Sequence, residues 1–227
     1  EKYKAPVYMH ASETESEVQG CIGRYGMTPT ALFEQLGLWN YGGGAFHSVW
    51  VSNEDLNIYK KHGVYAVLNA GSNAKLASGI APVEKMLQMG IPLAVGTDGP
   101  SSNNALDMFR EMYLICVLQK LREKNAAAAD ANAILKAATA GSARCMGLPE
   151  ADCIAPGKLA DLTVIGLHRP NMQPINNITK NLVYSGAKTN VRLTMVDGRI
   201  LYENGRFLNA DTDEIYKNAQ AVIDRIR

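Results

Sequence analysis

The chain has 227 residues, and its 47% hydrophobic content is enough to bury a sizeable core. Its formal net charge of +1, with basic residues scattered along the chain, excludes the strong positive field that nucleic-acid binding requires. No apolar run approaches the ~20 residues needed to cross a bilayer, and residues 1–6 lack the basic and then apolar pattern of a signal peptide. We therefore expect neither a nucleic-acid partner nor a membrane partner.

Up to Asp98, short apolar runs alternate with helical patterns, which favours βα units and a parallel sheet. The runs predicted as strands are residues 5–9, 44–51, 64–68 and 91–95. Capping boxes predict helix starts at Ser12 with Glu15 and at Ser52 with Asp55. Further helices are predicted after Thr28 and over residues 82–90. Four βα units of this kind make half of a (β/α) barrel.

Beyond Asp98 the pattern becomes helical and then rich in β signals. Helices are predicted over residues 106–122, 131–146 and 214–226. Strands are predicted at residues 162–165, 181–184, 191–196 and 200–203, with a type I′ turn at Asp197-Gly198 joining the last two. We therefore divide the chain into a barrel half, a small β domain and a C-terminal helix, over residues 1–155, 156–210 and 211–227.

The four cysteines show no spacing typical of a metal site or a disulfide framework. They are Cys21, Cys116, Cys145 and Cys153. A chain of this size needs no disulfide scaffold, so we expect free thiols and a cytoplasmic location.

Polar residues follow the predicted strands at four places, His10, His47, Asn69 and Asp98. In a (β/α) barrel the carboxyl ends of the strands meet at one mouth, so residues far apart in sequence come together there. A histidine nitrogen and an aspartate oxygen suit Zn²⁺ or Fe²⁺, but a catalytic site needs about three protein ligands. Glu13 can face the same mouth, although a glutamate in a first helical turn also stabilises the helix dipole.

Four longer motifs carry a resemblance to a known family. They are His10-Ala-Ser-Glu13-Thr-Glu, Ser72-Asn73-Ala-Lys75-Leu-Ala-Ser-Gly79, Gly96-Thr-Asp98-Gly-Pro-Ser-Ser-Asn103-Asn-Ala-Leu-Asp107-Met and Pro156-Gly-Lys-Leu-Ala-Asp161. Together they resemble the amidohydrolase superfamily, and within it the 5′-methylthioadenosine/S-adenosylhomocysteine deaminases and the related chlorohydrolase-type enzymes. The resemblance spans nearly all of the chain and corresponds to the C-terminal half of such an enzyme. It implies an α/β fold in which half of a TIM-like barrel carries a small β-sandwich-type domain.

The resemblance also implies one divalent metal, with zinc expected and iron or manganese as alternatives. In such enzymes the metal is held by a His-x-His pair on the first strand, a histidine on the fifth and an aspartate on the eighth. Matched by motif, His10 and Asp98 are the fifth-strand and eighth-strand ligands, and the chain has no counterpart of the His-x-His pair. It also departs from relatives before the Ser72-Asn73 motif, where they often have a His-Asn-Pro run and this chain has Leu68-Asn69-Ala70-Gly71.

The reaction implied is hydrolytic deamination of an adenine-type nucleoside such as S-adenosylhomocysteine, 5′-methylthioadenosine or adenosine. In that reaction Asp98 takes a proton from the attacking water, His47 orients the water, and Glu13 donates a proton to the ring. Glu13 and Asp98 are also expected to contact the substrate. Two alternatives stay open: another amidohydrolase reaction, such as s-triazine dechlorination or deamination of guanine or cytosine, and a catalytically inactive fragment.

Four βα units leave two open sheet edges and an apolar inner face. We therefore expect a homo-oligomer, or a separate N-terminal half, to cover them. The same argument predicts that the fragment alone is inactive, because His10 and Asp98 by themselves leave a metal short of ligands.

Overall fold

The computed structural model describes residues 3–226, and a four-stranded parallel sheet forms its first part. The strands lie in chain order as β1 (Val7–Ala11), β2 (Gly43–His47), β3 (Val64–Leu68) and β4 (Leu93–Val95). The helices between them are α1 (Glu15–Tyr25), α2 (Pro29–Gln35), α3 (Asn53–His62), α4 (Ala70–Lys75) and α5 (Val83–Met89). The predicted alternation of strands and helices is therefore confirmed.

Four helices follow β4, and they are α6 (Pro100–Asn103), α7 (Met108–Glu123), α8 (Ala131–Lys136) and α9 (Ser142–Cys145). A π-helical turn, Ala137–Gly141, joins α8 to α9, so the helix predicted over residues 131–146 is one continuous element with a local change of pitch.

The second sheet is antiparallel, with its strands in chain order. They are β5 (Leu162–Ile165), β6 (Val191–Val196), β7 (Arg199–Glu203) and β8 (Arg206–Phe207), while α10 (Ile178–Tyr184) and α11 (Thr212–Ile226) complete the elements. Asp197 and Gly198 both have positive φ angles, of 48° and 74°, which fits the predicted type I′ turn between β6 and β7.

The main core lies between one face of the parallel sheet and the helices that cover it. Leu68 from β3 packs there with Leu56 and Tyr59 from α3, Met86 from α5 and Ile115 from α7. Burying each of these side chains contributes about 1.5–3 kcal/mol. This packing fixes the carboxyl ends of the strands relative to the helices that follow them.

The opposite face of the parallel sheet is more open. Val67 is buried there with Cys145 from α9, while Phe46 and Tyr65 are only partly buried. Tyr8 lies on the same side, with its ring 6.5 Å from that of Phe46, and its hydroxyl donates a hydrogen bond to the Cys145 carbonyl.

The strand predicted at residues 181–184 is wrong, because this segment belongs to α10. Asn177 caps the helix by accepting a hydrogen bond from the Lys180 amide at 2.9 Å. Val183 is fully buried, and the Tyr184 ring lies 5.7 Å from Lys120 Nζ of α7. The segment therefore packs on the helices of the first unit rather than in the second sheet.

The two predicted capping boxes have different outcomes. Ser52 and Asp55 form a box at the start of α3, as expected. The box predicted at Ser12 is wrong, because Thr14 is the N-cap of α1 and accepts a hydrogen bond from the Glu17 amide. Among the described residues, no helix is long and apolar enough to cross a membrane.

Candidate metal and catalytic site

The predicted site residues come together at the carboxyl edge of the parallel sheet. His10 is the penultimate residue of β1 and His47 is the last residue of β2. Asp98 lies in the loop that follows β4, and Glu13 lies between β1 and α1. This placement follows from the parallel register, in which His10 pairs with Phe46 and Ala11 with His47.

His47 is held by backbone geometry and by one buried hydrogen bond. It has a φ of 70°, and Ser48 has a φ of 48°, so the chain leaves β2 here and the strand is shorter than the predicted run of 44–51. The His47 side chain is buried, and its Nδ1 lies 2.7 Å from Asn73 Oδ1. Because an amide oxygen only accepts, Nδ1 carries the proton and Nε2 of the neutral ring has a free lone pair.

The free nitrogen of His47 faces two carboxylates. Nε2 lies 3.7 Å from Glu13 Oε2 and 3.9 Å from Asp98 Oδ2. Glu13 is further positioned by Ser78, whose hydroxyl donates to Glu13 Oε1 at 3.3 Å. The imidazole is therefore placed to exchange hydrogen bonds with a small molecule lying between the two acids.

Asp98 is fixed by three donors. Oδ2 accepts hydrogen bonds from Ser72 Oγ at 2.6 Å and from Ser102 Oγ at 2.8 Å, and Oδ1 accepts from the Gly99 amide at 2.8 Å. Burial raises the pKa of Asp98, but these donors and the nearby His47 ring lower it by more, so the pKa lies below its usual value. The residue also has a φ of 60°, a conformation that aspartate tolerates better than most side chains.

His10, His47 and Asp98 each offer one ligand atom, and these atoms all lie within 4.8 Å of one another. The His10 and His47 rings stack with their centroids 5.4 Å apart. Two imidazole nitrogens and one carboxylate oxygen form a donor set that suits Zn²⁺ and similar divalent ions, and the lone pair on His47 Nε2 is compatible with it. The residues present therefore fit a divalent metal.

Several residues that hold the site were not singled out as functional from the sequence. They are Asn73, which fixes the tautomer of His47, and Ser72, Ser78 and Ser102, which donate to the two acids. All four lie inside the motifs quoted above, and that position was the available signal. Lys75, which lies in the second of these motifs, is exposed and donates to the Ser101 carbonyl and to Asn104 Oδ1.

Asn69, which lies within the run that departs from the relatives, is buried directly after β3. Within the described part of the chain its Oδ1 has no hydrogen-bond partner. The side chain lies against Gly96, where an added Cβ would come within 2.9 Å of Oδ1. Its carboxamide thus sits beside the loop that carries Asp98.

Comparisons with known proteins identify the family of the chain. The sequence profile of the amidohydrolase family matches residues 1–201. The 5-methylthioadenosine/S-adenosylhomocysteine deaminase of Pyrococcus furiosus is 40% identical over 223 residues, which is 98% of this chain and 53% of the relative.

Two groups of solved structures are also similar. An adenosine deaminase from Xanthomonas campestris with bound zinc has a TM-score of 0.94 at 33% identity, covering 100% of this chain and 52% of that one. Atrazine chlorohydrolase from Arthrobacter aurescens, in complex with zinc, has a TM-score of 0.89 at 25% identity, covering 98% of this chain and 49% of that one. This chain spans about half the length of these relatives, which fits the expected C-terminal half. Since the family profile matches most of its residues, the chain belongs to the amidohydrolase family.

Proposed function

We propose that this chain is the C-terminal half of a metal-dependent aminohydrolase that deaminates an adenine-type nucleoside. The candidate substrates are S-adenosylhomocysteine, 5′-methylthioadenosine and adenosine. The observation that carries the proposal is the convergence of His10, Glu13, His47 and Asp98 at one edge of the sheet. The names of the similar proteins, an adenosine deaminase among them, support it.

For the metal we propose zinc, with His10 and Asp98 as ligands from this chain. Iron or manganese would accept the same donor atoms. His47 is the alternative third ligand, because its Nε2 belongs to the same cluster. We assign it a catalytic role instead, since Nε2 faces Glu13 and Asp98 at similar distances.

The chemistry that a divalent metal supplies, when bound, is a lower pKa of a nearby water, from ~15.7 towards ~7. Asp98 accepts a proton from the attacking water, and the oxygen adds to the ring carbon that bears the amino group. Glu13 donates a proton to the adjacent ring nitrogen, while His47 holds the water through Nε2. Asp98 then passes its proton to the amino group, the C–N bond breaks, ammonia leaves, and the hydroxyl proton returns to the carboxylates.

We further propose that the parallel sheet is half of a (β/α)₈ barrel and that residues 156–210 form a β-sandwich-type domain with other segments. Residues 1–155 would be the barrel half and residues 211–227 the C-terminal helix. The covering partner would be a second copy or an N-terminal half. The four cysteines are free, which supports the proposed cytoplasmic location.

The test is ammonia release by the zinc-loaded protein that carries this chain, with the three nucleosides offered separately. We expect turnover of at least one of them. It would be seen as ammonia release and as a change of the ultraviolet absorbance from that of adenine to that of hypoxanthine. Atrazine is the comparison substrate, because the chlorohydrolase structure is also similar. Hydrolysis of atrazine without ammonia release from any nucleoside would overturn the proposed reaction.

A further inference from the structure

Glu111 is a fully buried acid that the proposed reaction does not use. It lies in the first turn of α7, and its carboxylate accepts hydrogen bonds from the Gly71 amide at 2.8 Å and from Asn103 Nδ2 at 2.7 Å. Burial raises the pKa of Glu111 by more than these two hydrogen bonds lower it, so the pKa lies above its usual value. A buried acid is costly to keep, so its contacts call for an explanation.

The first hydrogen bond joins Glu111 to α4, the helix that follows β3. Gly71 precedes Ser72, whose hydroxyl binds Asp98, and Asn73, which binds His47. The approach is close, because a Cβ at Gly71 would collide with the Glu111 carboxylate and with the Asn103 amide. Glu111 therefore holds the backbone that carries both supports of the site.

The second hydrogen bond joins Glu111 to Asn103 of α6, in the segment that follows β4. Asn103 Nδ2 bonds Glu111 Oε1 and also the Thr97 carbonyl, at 2.6 Å. Thr97 directly precedes Asp98. Through Asn103, the same carboxylate thus holds the backbone on which Asp98 sits.

We propose that Glu111 is a positioning residue, whose buried carboxylate ties α4 to α6 and, through Asn103, to the loop that carries Asp98, and so fixes Asp98 and His47. The inference rests on the proposed function, because it assigns Glu111 the task of orienting that reaction's acid and imidazole. Ser72 and Asn73 bond Asp98 and His47 directly, and the loss of such partners is expected to change metal affinity or activity by about 10–100-fold. Glu111 lies one layer further out, so we expect an effect at the lower end of this range.

The substitution Glu111→Gln tests the tie with little change of volume. The glutamine oxygen can still accept from Gly71, but its NH₂ group then faces the NH₂ group of Asn103. Asn103 can turn its amide to present Oδ1, which has no partner among the described residues. It then gives up its bond to the Thr97 carbonyl, so one of the two ties is lost in either arrangement.

Gln119 on the same helix offers a matched control. It is also buried, accepting from the Glu84 amide at 3.0 Å and donating to the Ala81 carbonyl at 2.5 Å. These partners lie around the start of α5, and not on α4, on α6 or in the loop that carries Asp98. Gln119→Glu removes one buried hydrogen bond from α7, as Glu111→Gln does, without touching the site.

The experiment compares both variants with the wild type in the zinc-loaded protein that carries this chain. For Glu111→Gln we expect kcat to fall and zinc loss to a chelator to accelerate, each about tenfold, with KM little changed. For Gln119→Glu, which buries a new acid, we expect a drop in Tm at least as large, with wild-type kcat and zinc retention. Equal kcat and equal zinc retention in the two variants would overturn the inference.

Two further results would also decide the role of Glu111. If the wild type binds zinc but releases no ammonia, the proposed function fails, and zinc retention alone decides the role of Glu111. If Glu111→Gln does not fold, Asn103→Ser removes the same tie to Thr97 from the other side. Faster zinc loss in Asn103→Ser than in Gln119→Glu then supports the inference, and equal retention overturns it.

Discussion

Removing the two serine donors to Asp98, singly and together, probes how this site is held. Ser72 lies on α4 and Ser102 on α6, yet both hydroxyls donate to the same oxygen, Oδ2. The variants are Ser72→Ala, Ser102→Ala and the double substitution. Ser101→Ala is the matched control, because Ser101 neighbours Ser102 on α6 and is exposed.

The expected size follows from the contacts. A hydrogen bond to a charged group contributes about 1.5–3 kcal/mol. The Asp98 side chain is 23% exposed, so water can replace the first donor that is lost. Each single substitution should therefore lower the free energy of unfolding by an amount near the lower end of this range, about 1.5 kcal/mol. In the double variant Oδ2 loses both protein donors, so the cost should exceed the sum, with a coupling of about 0.5–3 kcal/mol.

The assay is urea unfolding of the zinc-free protein that carries this chain, paired with kcat after zinc is restored. If the same ~1.5 kcal/mol is lost from stabilisation of the transition state, kcat falls about tenfold for each single variant. Ser101→Ala should match the wild type in both measurements. The reasoning is refuted if the single variants behave like Ser101→Ala, or if the double variant shows only the sum of the two effects.

Three further predictions concern other parts of the chain. Glu13→Gln should keep zinc bound and lose most turnover, because an amide cannot transfer the proton; near-normal ammonia release would exclude Glu13 as the acid. Hydrogen bonds from Lys158 and Arg144 lower the pKa of Asp152 to about 2, so its stabilising effect is complete above the unfolded value of ~3.9 and is lost as the pH falls through about 2. Asp152→Asn should therefore lower stability in urea at pH 7, with the deficit shrinking between about pH 4 and 2; a deficit independent of pH would contradict this. The isolated 227-residue chain should self-associate and hold zinc weakly, and a monomer with tightly bound zinc in sedimentation and metal analysis would argue against the half-barrel.

The convergence of the site residues could be predicted because it depends on one rule of parallel sheets. His10, His47 and Asp98 each follow an apolar run, and parallel strands bring their carboxyl ends to the same edge. Local signals of equal strength, the Ser52 cap and the Asp197-Gly198 turn, were likewise confirmed. Such features are encoded within a few residues or by the period of the strands.

Features set by tertiary contacts could not be predicted from local sequence patterns. The apolar run at residues 181–184 fits a strand or a short helix, and burial of Val183 beside α7 and α8 decides for the helix. Ser12 looked like a cap, but Glu17 instead accepts hydrogen bonds from the Ser12 and Glu13 amides. Glu111 carries no local signal of its role, because its partners Gly71 and Asn103 belong to α4 and α6 rather than to its own helix.

The two sides of the site differ in a way that bears on how the complete enzyme is assembled. His47 is 1% exposed and is surrounded by this chain's own helices, whereas His10 is exposed on the open face that also carries Tyr8. In the described part of the chain, β1 and β4 are the sheet edges, so a covering partner would approach next to His10. The supports of His47 and Asp98, by contrast, lie within this chain, on α4 and α6 and at the Gly99 amide. Under the proposed half-barrel assembly, the acid and imidazole would therefore be oriented before any partner binds, and the partner would have to complete the metal ligands and exclude water.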